Sequence, residues 1–302
     1  MTRTPTRASS RPIRLWTRGW RAFGYVAFLV LLGIGGPRLR ADHLYYDEEP
    51  FGPQEFTLSN RAWNPGSNSA RTGGNPAPGA ATFSIMGAGF RDASGRDGRH
   101  VNTLFDHASV DITTLLAGTS DTFDFYKNMI NDALNVWDAP SGFTNLGFVA
   151  DGNVDAGASQ ASGGHLGDIR VAAWEITTGP VLAHAFFPTT QAHSGFGGTI
   201  GGDVHIDVNR TWMDNPNAVA LQLDLFTVLL HELGHSLGLG HSADPTAVMN
   251  ATYFGARRTL TADDIAGIQA IYGVPEPGTF VMLLIGAASV AVSSRRRRSL
   301  SR

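Results

Sequence analysis

An α+β domain is predicted from the order of elements along the chain. Short runs with strand periodicity, separated by Gly-rich stretches, dominate residues 80–208, and two helical segments close the domain. Ala81 to Met86 (ATFSIM) alternates apolar and polar residues, which reads as a strand. Asp121 to Trp137 places Phe123, Tyr126, Ile130, Leu134 and Trp137 at helical spacing, so it reads as an amphipathic helix. Asn145 to Ala150, Asp168 to Trp174, Pro180 to Phe187 and Gly202 to Val208 are further apolar or alternating runs and read as strands. A second helix is expected over Val219 to about Leu237. A third starts at Thr261, a good N-cap, with Asp263 and Asp264 in its first turn and Ile265, Ile268 and Ile271 turned inward.

Composition limits what such a domain does. The chain has 302 residues, 42% hydrophobic and 16% charged, with 36 Gly, 15 Pro and no Cys. That is a globular balance, and the missing cysteine removes disulfide frameworks, Cys-ligated metals and thiol nucleophiles together. Stability then rests on packing and on ions. The formal charge of −3 hides an asymmetry: residues 1–41 carry eight Arg and no acid, whereas residues 42–274 hold ten basic and 25 acidic residues, a net of −15. So acidic a body, with Lys127 as its one lysine, argues against nucleic acid as a partner. It suits cation binding, or simply solubility.

The two ends read as addresses. Six Arg between Arg3 and Arg21 precede the apolar run Ala22 to Gly36, a charged region followed by an apolar core of signal-peptide length. Residues 1–41 are therefore expected to act as a signal peptide cut near Ala41, with an uncleaved anchor as the alternative. At the other end, Val274-Pro275-Glu276-Pro277-Gly278 leads into fourteen mostly apolar residues, Thr279 to Val292, and then Arg295 to Arg298. This layout resembles the PEP-CTERM signal of bacterial exported proteins. The resemblance implies transient membrane association and processing by an exosortase-type enzyme, and fourteen residues are short for a stable span. Export to the bacterial envelope, surface or exterior is the expectation. Residues 42–79 are rich in Gly, Pro, Asn and Ser, above all Trp63 to Ala81, and read as a flexible linker or short pro-region. Residues 80–273 read as one folded domain and 274–302 as the sorting tail.

The chemistry lies in His231-Glu232-Leu233-Gly234-His235-Ser236-Leu237-Gly238-Leu239-Gly240-His241. Positions i and i+4 of a helix share a face, so His231 and His235 present imidazole nitrogens to one ion. Glu232 stands beside that pair, placed to reach a water on the metal rather than to ligate it. Gly238 adopts the positive φ that ends the helix and swings His241 back as a third nitrogen. Three neutral His and an open position describe a catalytic rather than a structural zinc.

With these residues the chain resembles the matrixins, the matrix-metalloproteinase branch of the metzincin zinc endopeptidases. Ser242 to Met249 (SADPTAVM) matches the family's segment from the third ligand to the Met-turn, which implies Met249 beneath the zinc. Leu182-Ala183-His184-Ala185-Phe186 and Gly202-Asp203-Val204-His205-Ile206-Asp207 resemble the edge strand and its neighbour, and Leu260 to Gly273 the last helix. The resemblance implies a metzincin-like fold: a twisted, mostly parallel five-stranded sheet with an antiparallel edge strand, and three helices. It also implies peptide or protein substrate lying along that edge near Ala183 and Ala185, with Tyr253 as a wall of the specificity pocket.

Departures from the family pattern are equally readable. His184 and His205 match two ligands of a structural zinc, but no His-x-Asp pair lies between Ala172 and Val181 to complete it. Asp203 and Asp207 match calcium ligands, yet Arg210 stands where a third acid is expected. A second zinc or calcium is thus a candidate, not an implication. No cysteine is present for a thiol latency switch, and Asn250-Ala251-Thr252-Tyr253 replaces the usual Tyr-Pro-x-Tyr. The expected function is a zinc endopeptidase that hydrolyses extracellular or envelope proteins; the alternative is a non-hydrolytic, zinc-bearing surface or matrix module.

Overall fold

The computed structural model describes residues 40–43, 56–65, 70–72, 76–90, 108–116, 122–152, 155, 167–176, 180–188 and 200–275. Most of the expected sorting tail and most of the expected signal peptide lie outside these residues. In chain order the strands are β1 (Arg40–His43), β2 (Phe56–Leu58), β3 (Arg61–Trp63), β4 (Ala70–Thr72), β5 (Gly79–Ile85) and β6 (Phe143–Phe148). They continue as β7 (Ile169–Trp174), β8 (Val181–Ala185), β9 (Val204–Asp207), β10 (Trp212–Met213), β11 (Leu223–Asp224) and β12 (Leu239–Ser242). Three α-helices, α1 (Phe123–Asp138), α2 (Leu225–Ser236) and α3 (Ala262–Tyr272), complete the domain.

The main sheet has the order β1-β8-β9-β7-β5-β6. Strands β6, β5, β7 and β9 pair in parallel, and β8 runs antiparallel to β9. This is the expected five-stranded, mostly parallel sheet with an antiparallel strand beyond β9. One strand was not expected: β1 adds itself in parallel to the outer side of β8, with Asp42 opposite His184 and His43 opposite Ala185. It straddles the predicted cut at Ala41. Strands β5, β7 and β9 are buried along nearly their whole length, polar residues included, because a central parallel strand is covered on both faces.

Helix α1 presents Tyr126, Met129, Ile130, Ala133, Leu134 and Trp137 to the core, close to the periodicity read from the sequence. Helix α2 differs from expectation. It begins at Leu225, not at Val219, because the Asp224 carboxylate accepts from the Thr227 N–H at 3.1 Å and its hydroxyl at 2.6 Å, which makes Asp224 the N-cap. Residues 219–222 stay outside the helix, with Leu221 89% exposed. Nearly every residue of α2 is buried, since it packs on α1, β8, β9 and β12 at once. Helix α3 starts as predicted: Thr261 and Asp264 form a reciprocal capping box.

The linker reading of residues 42–79 is corrected in part. Strands β2, β3 and β4 fall inside it, β2 pairs antiparallel with β12, and β3 with β4. Few residues there are apolar, but the Trp63 indole is buried and fills the space that Gly202 leaves open: a Cβ on Gly202 would stand 2.6 Å from its ring. One large side chain thus anchors a stretch whose composition resembles coil.

Candidate metal centre

Helix α2 delivers His231 and His235 one turn apart, with ring centroids 4.7 Å from each other. After Ser236 the helix stops: Leu237 is the C-cap, and Gly238 takes φ 106°. A side chain there would be strained by the backbone and would meet the Arg61 carbonyl at 2.1 Å, so glycine is required twice over. The turn sends the chain into β12, which carries His241 back to the pair, its ring centroid 5.5 Å from His231 and 4.9 Å from His235. The candidate ligand atoms of the three lie within 4.8 Å of one another, and they form the sole such trio of His and acidic side chains among the described residues.

Two of the imidazoles are oriented by main-chain carbonyls. His231 Nδ1 donates to the Val248 carbonyl at 2.7 Å and His235 Nδ1 to that of Leu239 at 2.6 Å. A carbonyl only accepts, so Nδ1 carries the proton in each ring and Nε2 keeps the lone pair. That tautomer is the one a zinc ligand needs, and the donor set of three nitrogens suits zinc. Glu232 is wholly buried one residue from the first ligand.

The Met-turn is built against this helix. Met249 is buried, and a Cβ on Gly234 would sit 2.3 Å from its Sδ, so the glycine between the two helical ligands exists to admit that side chain. The turn's backbone is held by Asp264, whose Oδ2 accepts from the Val248 N–H at 2.9 Å and Oδ1 from the Met249 N–H at 3.0 Å. Since the Val248 carbonyl orients His231, the carboxylate on α3 acts on a ligand through one residue of main chain. Arg257 clamps the same loop from outside through the Ala247 and Pro245 carbonyls, at 3.0 and 2.7 Å. Asp263, next to Asp264, accepts from Ser242 Oγ at 2.5 Å; burial, with the neighbouring carboxylates of Asp264 and Asp244, raises its pKa above the usual carboxylate value.

Tyr253 lies on the loop after the Met-turn, where a pocket wall was expected. Its hydroxyl donates to the Gln222 carbonyl at 2.6 Å and accepts from the Asp224 N–H at 2.9 Å, tying that loop to the start of the metal helix. Burial pushes its pKa up. Asp224 is also gripped by Arg258, which reaches on to Asp214.

The second metal set is only half assembled. His184 and His205 face each other across β8 and β9, with Nε2 of the first 3.1 Å from Nδ1 of the second. The His205 ring stacks flat on Trp174 at 4.6 Å, and Phe186 meets both rings edge-on. Burial lowers the His184 pKa to about 3, and burial together with the charges of His184 and Arg170 lowers that of His205 well below its usual value, so this is a neutral hydrogen-bonded pair. Asp207 is engaged elsewhere: it accepts from Arg210 Nε at 2.7 Å, while Arg210 Nη2 donates to the Val181 carbonyl at 2.8 Å. Asp203 is buried beside the Arg170 guanidinium, which its charge helps to keep protonated. The described residues do not bring His184, His205, Asp203 and Asp207 into one cluster of ligands. Ala183 and Ala185 sit on β8 as expected, but β1 already pairs with the outer side of that strand.

Comparison with known proteins decides the family. The family model described as "Matrixin" matches residues 114–273, more than half of the chain. The chain belongs to the matrixin family. Matrixins are zinc metalloendopeptidases, and the three-histidine centre of this matrixin fits that metal. Its relatives include human matrix metalloproteinase-16, 48% identical over 103 residues, and human matrilysin, 44% identical over 98 residues. These matches cover 32% of this chain each, and 15% and 33% of the relatives. Rabbit (Oryctolagus cuniculus) macrophage metalloelastase is 42% identical over 152 residues, covering 49% of this chain and 29% of that protein. The matrixin thus spans a third or less of the curated relatives it matches. A second model, "PEP-CTERM protein-sorting motif", matches residues 273–298. Among the described residues no helix is long and apolar enough to cross a membrane.

Proposed function

We propose that this matrixin is a zinc-dependent endopeptidase of the bacterial envelope or exterior that hydrolyses peptide bonds in protein substrates. The convergence of His231, His235 and His241 beside a buried Glu232 carries the reading. When bound, zinc supplies Lewis acidity to a water molecule and to the peptide carbonyl. Glu232 takes the proton of the attacking water and returns it to the leaving amine. The backbone partners of His231 and His235 keep both ligands in the tautomer that binds metal. Substrate adds as an extended chain along β8 in place of β1, which holds that edge here and whose seat supports the edge's capacity to pair.

Residues 80–273 serve as the catalytic domain, braced by β2, β3 and β4. Residues 1–41 direct export, and 274–302 hold the protein at the membrane until an exosortase-type enzyme processes it. The test is Glu232→Ala in the full chain, assayed with casein in the presence of zinc, with and without chelator. Zinc content should persist while cleavage disappears. Unchanged turnover would refute the role of Glu232, and a zinc-loaded wild type that cleaves nothing would leave the non-hydrolytic surface module as the function.

A further inference from the structure

The third ligand differs from the other two in what holds it. His231 and His235 are fixed by a buried helix, whereas His241 rides on a four-residue strand whose inner side is tied to the Met-turn through Ser242 N–H and the Met249 carbonyl at 2.9 Å. Its other side is held by residues far upstream. Thr57 Oγ1 donates to the His241 carbonyl at 3.0 Å. Ser59 donates to the Gly238 carbonyl twice, from N–H at 2.9 Å and Oγ at 2.8 Å, and Trp63 Nε1 donates to the Ser236 carbonyl at 2.9 Å. Two of the carbonyls where α2 ends, those of Ser236 and Gly238, and the ligand's own carbonyl are thus met by one eight-residue stretch. That stretch lies outside the matched 114–273 region, within the part of the sequence that reads as linker.

We propose that residues 56–63 are a positioning brace for the third metal ligand, with Thr57 and Ser59 setting where His241 stands and so how long the zinc stays. The inference rests on the three-histidine zinc reading above. Thr57 bonds the main chain of His241, not its imidazole, and acts through it. Two consequences separate this from a merely structural contact. Metal retention should respond more than overall stability, and the response should follow the hydroxyl and not the shape of the side chain. A chain cut downstream of residue 57 should be zinc-poor for the same reason.

The experiment compares zinc release to a chromogenic chelator from the full-length wild type, Thr57→Val and Thr57→Ser. Thr57→Val keeps the shape and loses the donor; it should release zinc about tenfold faster, within the range for groups that orient metal ligands. Its kcat on casein should recover at saturating zinc, with KM unchanged. Thr57→Ser restores a hydroxyl and should release zinc at nearly the wild-type rate. Wild-type release from Thr57→Val, or equally fast release from Thr57→Ser, would overturn the brace while leaving the zinc reading intact. A wild type that holds no zinc would overturn both. Should Thr57→Val fail to fold, Ser59→Ala decides: release roughly threefold faster supports the brace and an unchanged rate refutes it.

Discussion

Asp264 ties the last helix to the Met-turn, and removing its carboxylate should be strongly destabilising. Four donors converge on it: the Val248 and Met249 N–H groups at 2.9 and 3.0 Å, and the Thr261 N–H and hydroxyl, both at 2.8 Å. In Asp264→Ala the two Met-turn N–H groups lose their acceptor inside a buried loop, at about 1–3 kcal/mol each. The capping-box return to Thr261 goes as well, worth about another 0.5–1 kcal/mol as half of an N-cap. The sum, about 2.5–7 kcal/mol, is comparable at its upper end with the whole stability of a marginal domain, about 5–15 kcal/mol. Asp264→Asn retains one carbonyl oxygen and should lose about half as much. Thermal and urea unfolding, each with zinc and with chelator, measure both parts of the effect. Because the Val248 carbonyl orients His231, the increment in stability that zinc confers should also shrink, which a purely distant core defect would not produce. An Asp264→Ala protein within about 1 kcal/mol of wild type, with an undiminished zinc increment, would refute the coupling between α3 and the ligand.

Other outcomes follow from the same structure. Asp207 should not serve as a calcium ligand, because Arg210 already supplies the cation there: Asp207→Asn should leave any calcium-dependent shift of the unfolding temperature unchanged, and loss of such a shift would contradict this. Acid should destabilise the metal-free fold across the interval from the ordinary histidine value near 6.5 down to about 3. In that window the unfolded chain binds a proton at His184 that the folded chain refuses, so stability falls as pH falls. His184→Asn, studied in chelator, should flatten the slope by about one proton, and an unchanged slope would reassign the titration. Gly234→Ala should destabilise by about 1–3 kcal/mol through the clash with Met249 Sδ, although alanine is the better helix former; a more stable variant would show that the methionine moves aside freely.

What the sequence disclosed and what it hid divide along distance. The metal ligands were readable because His231 and His235 depend on helical period alone, and Gly238 announces the turn that returns His241. The sheet, too, follows from runs such as Ile169 to Trp174, whose apolar character reports burial on both faces. Hidden were the partners brought from far away. Asp264 is visible as a residue in the first turn of α3, but its second task lies 15 and 16 positions upstream, where no local pattern points. Trp63 sits in a Gly-, Pro- and Asn-rich stretch that composition reads as coil, and its ring occupies space left by the distant Gly202. Arg210 was legible as a departure at a calcium position, though not as the guanidinium that reaches the Val181 carbonyl. The start of α2 was misplaced because apolar Val219 and Leu221 extend the helical pattern beyond the Asp224 cap.

Tyr272 and Trp63 come from opposite ends of the domain and meet at the turn that closes the metal helix: the Tyr272 hydroxyl accepts from the Trp63 N–H at 3.2 Å and donates to the Leu237 carbonyl at 2.9 Å. These partners are 209 residues apart, so their contact forms late, after long-range chain closure. A nascent polypeptide still lacking its last helix has both helical histidines but no closed loop for the third. The turn that returns His241 is therefore fully tied only once residue 272 has been made, so a chain that stops short of its last helix carries two fixed histidines and a loose third.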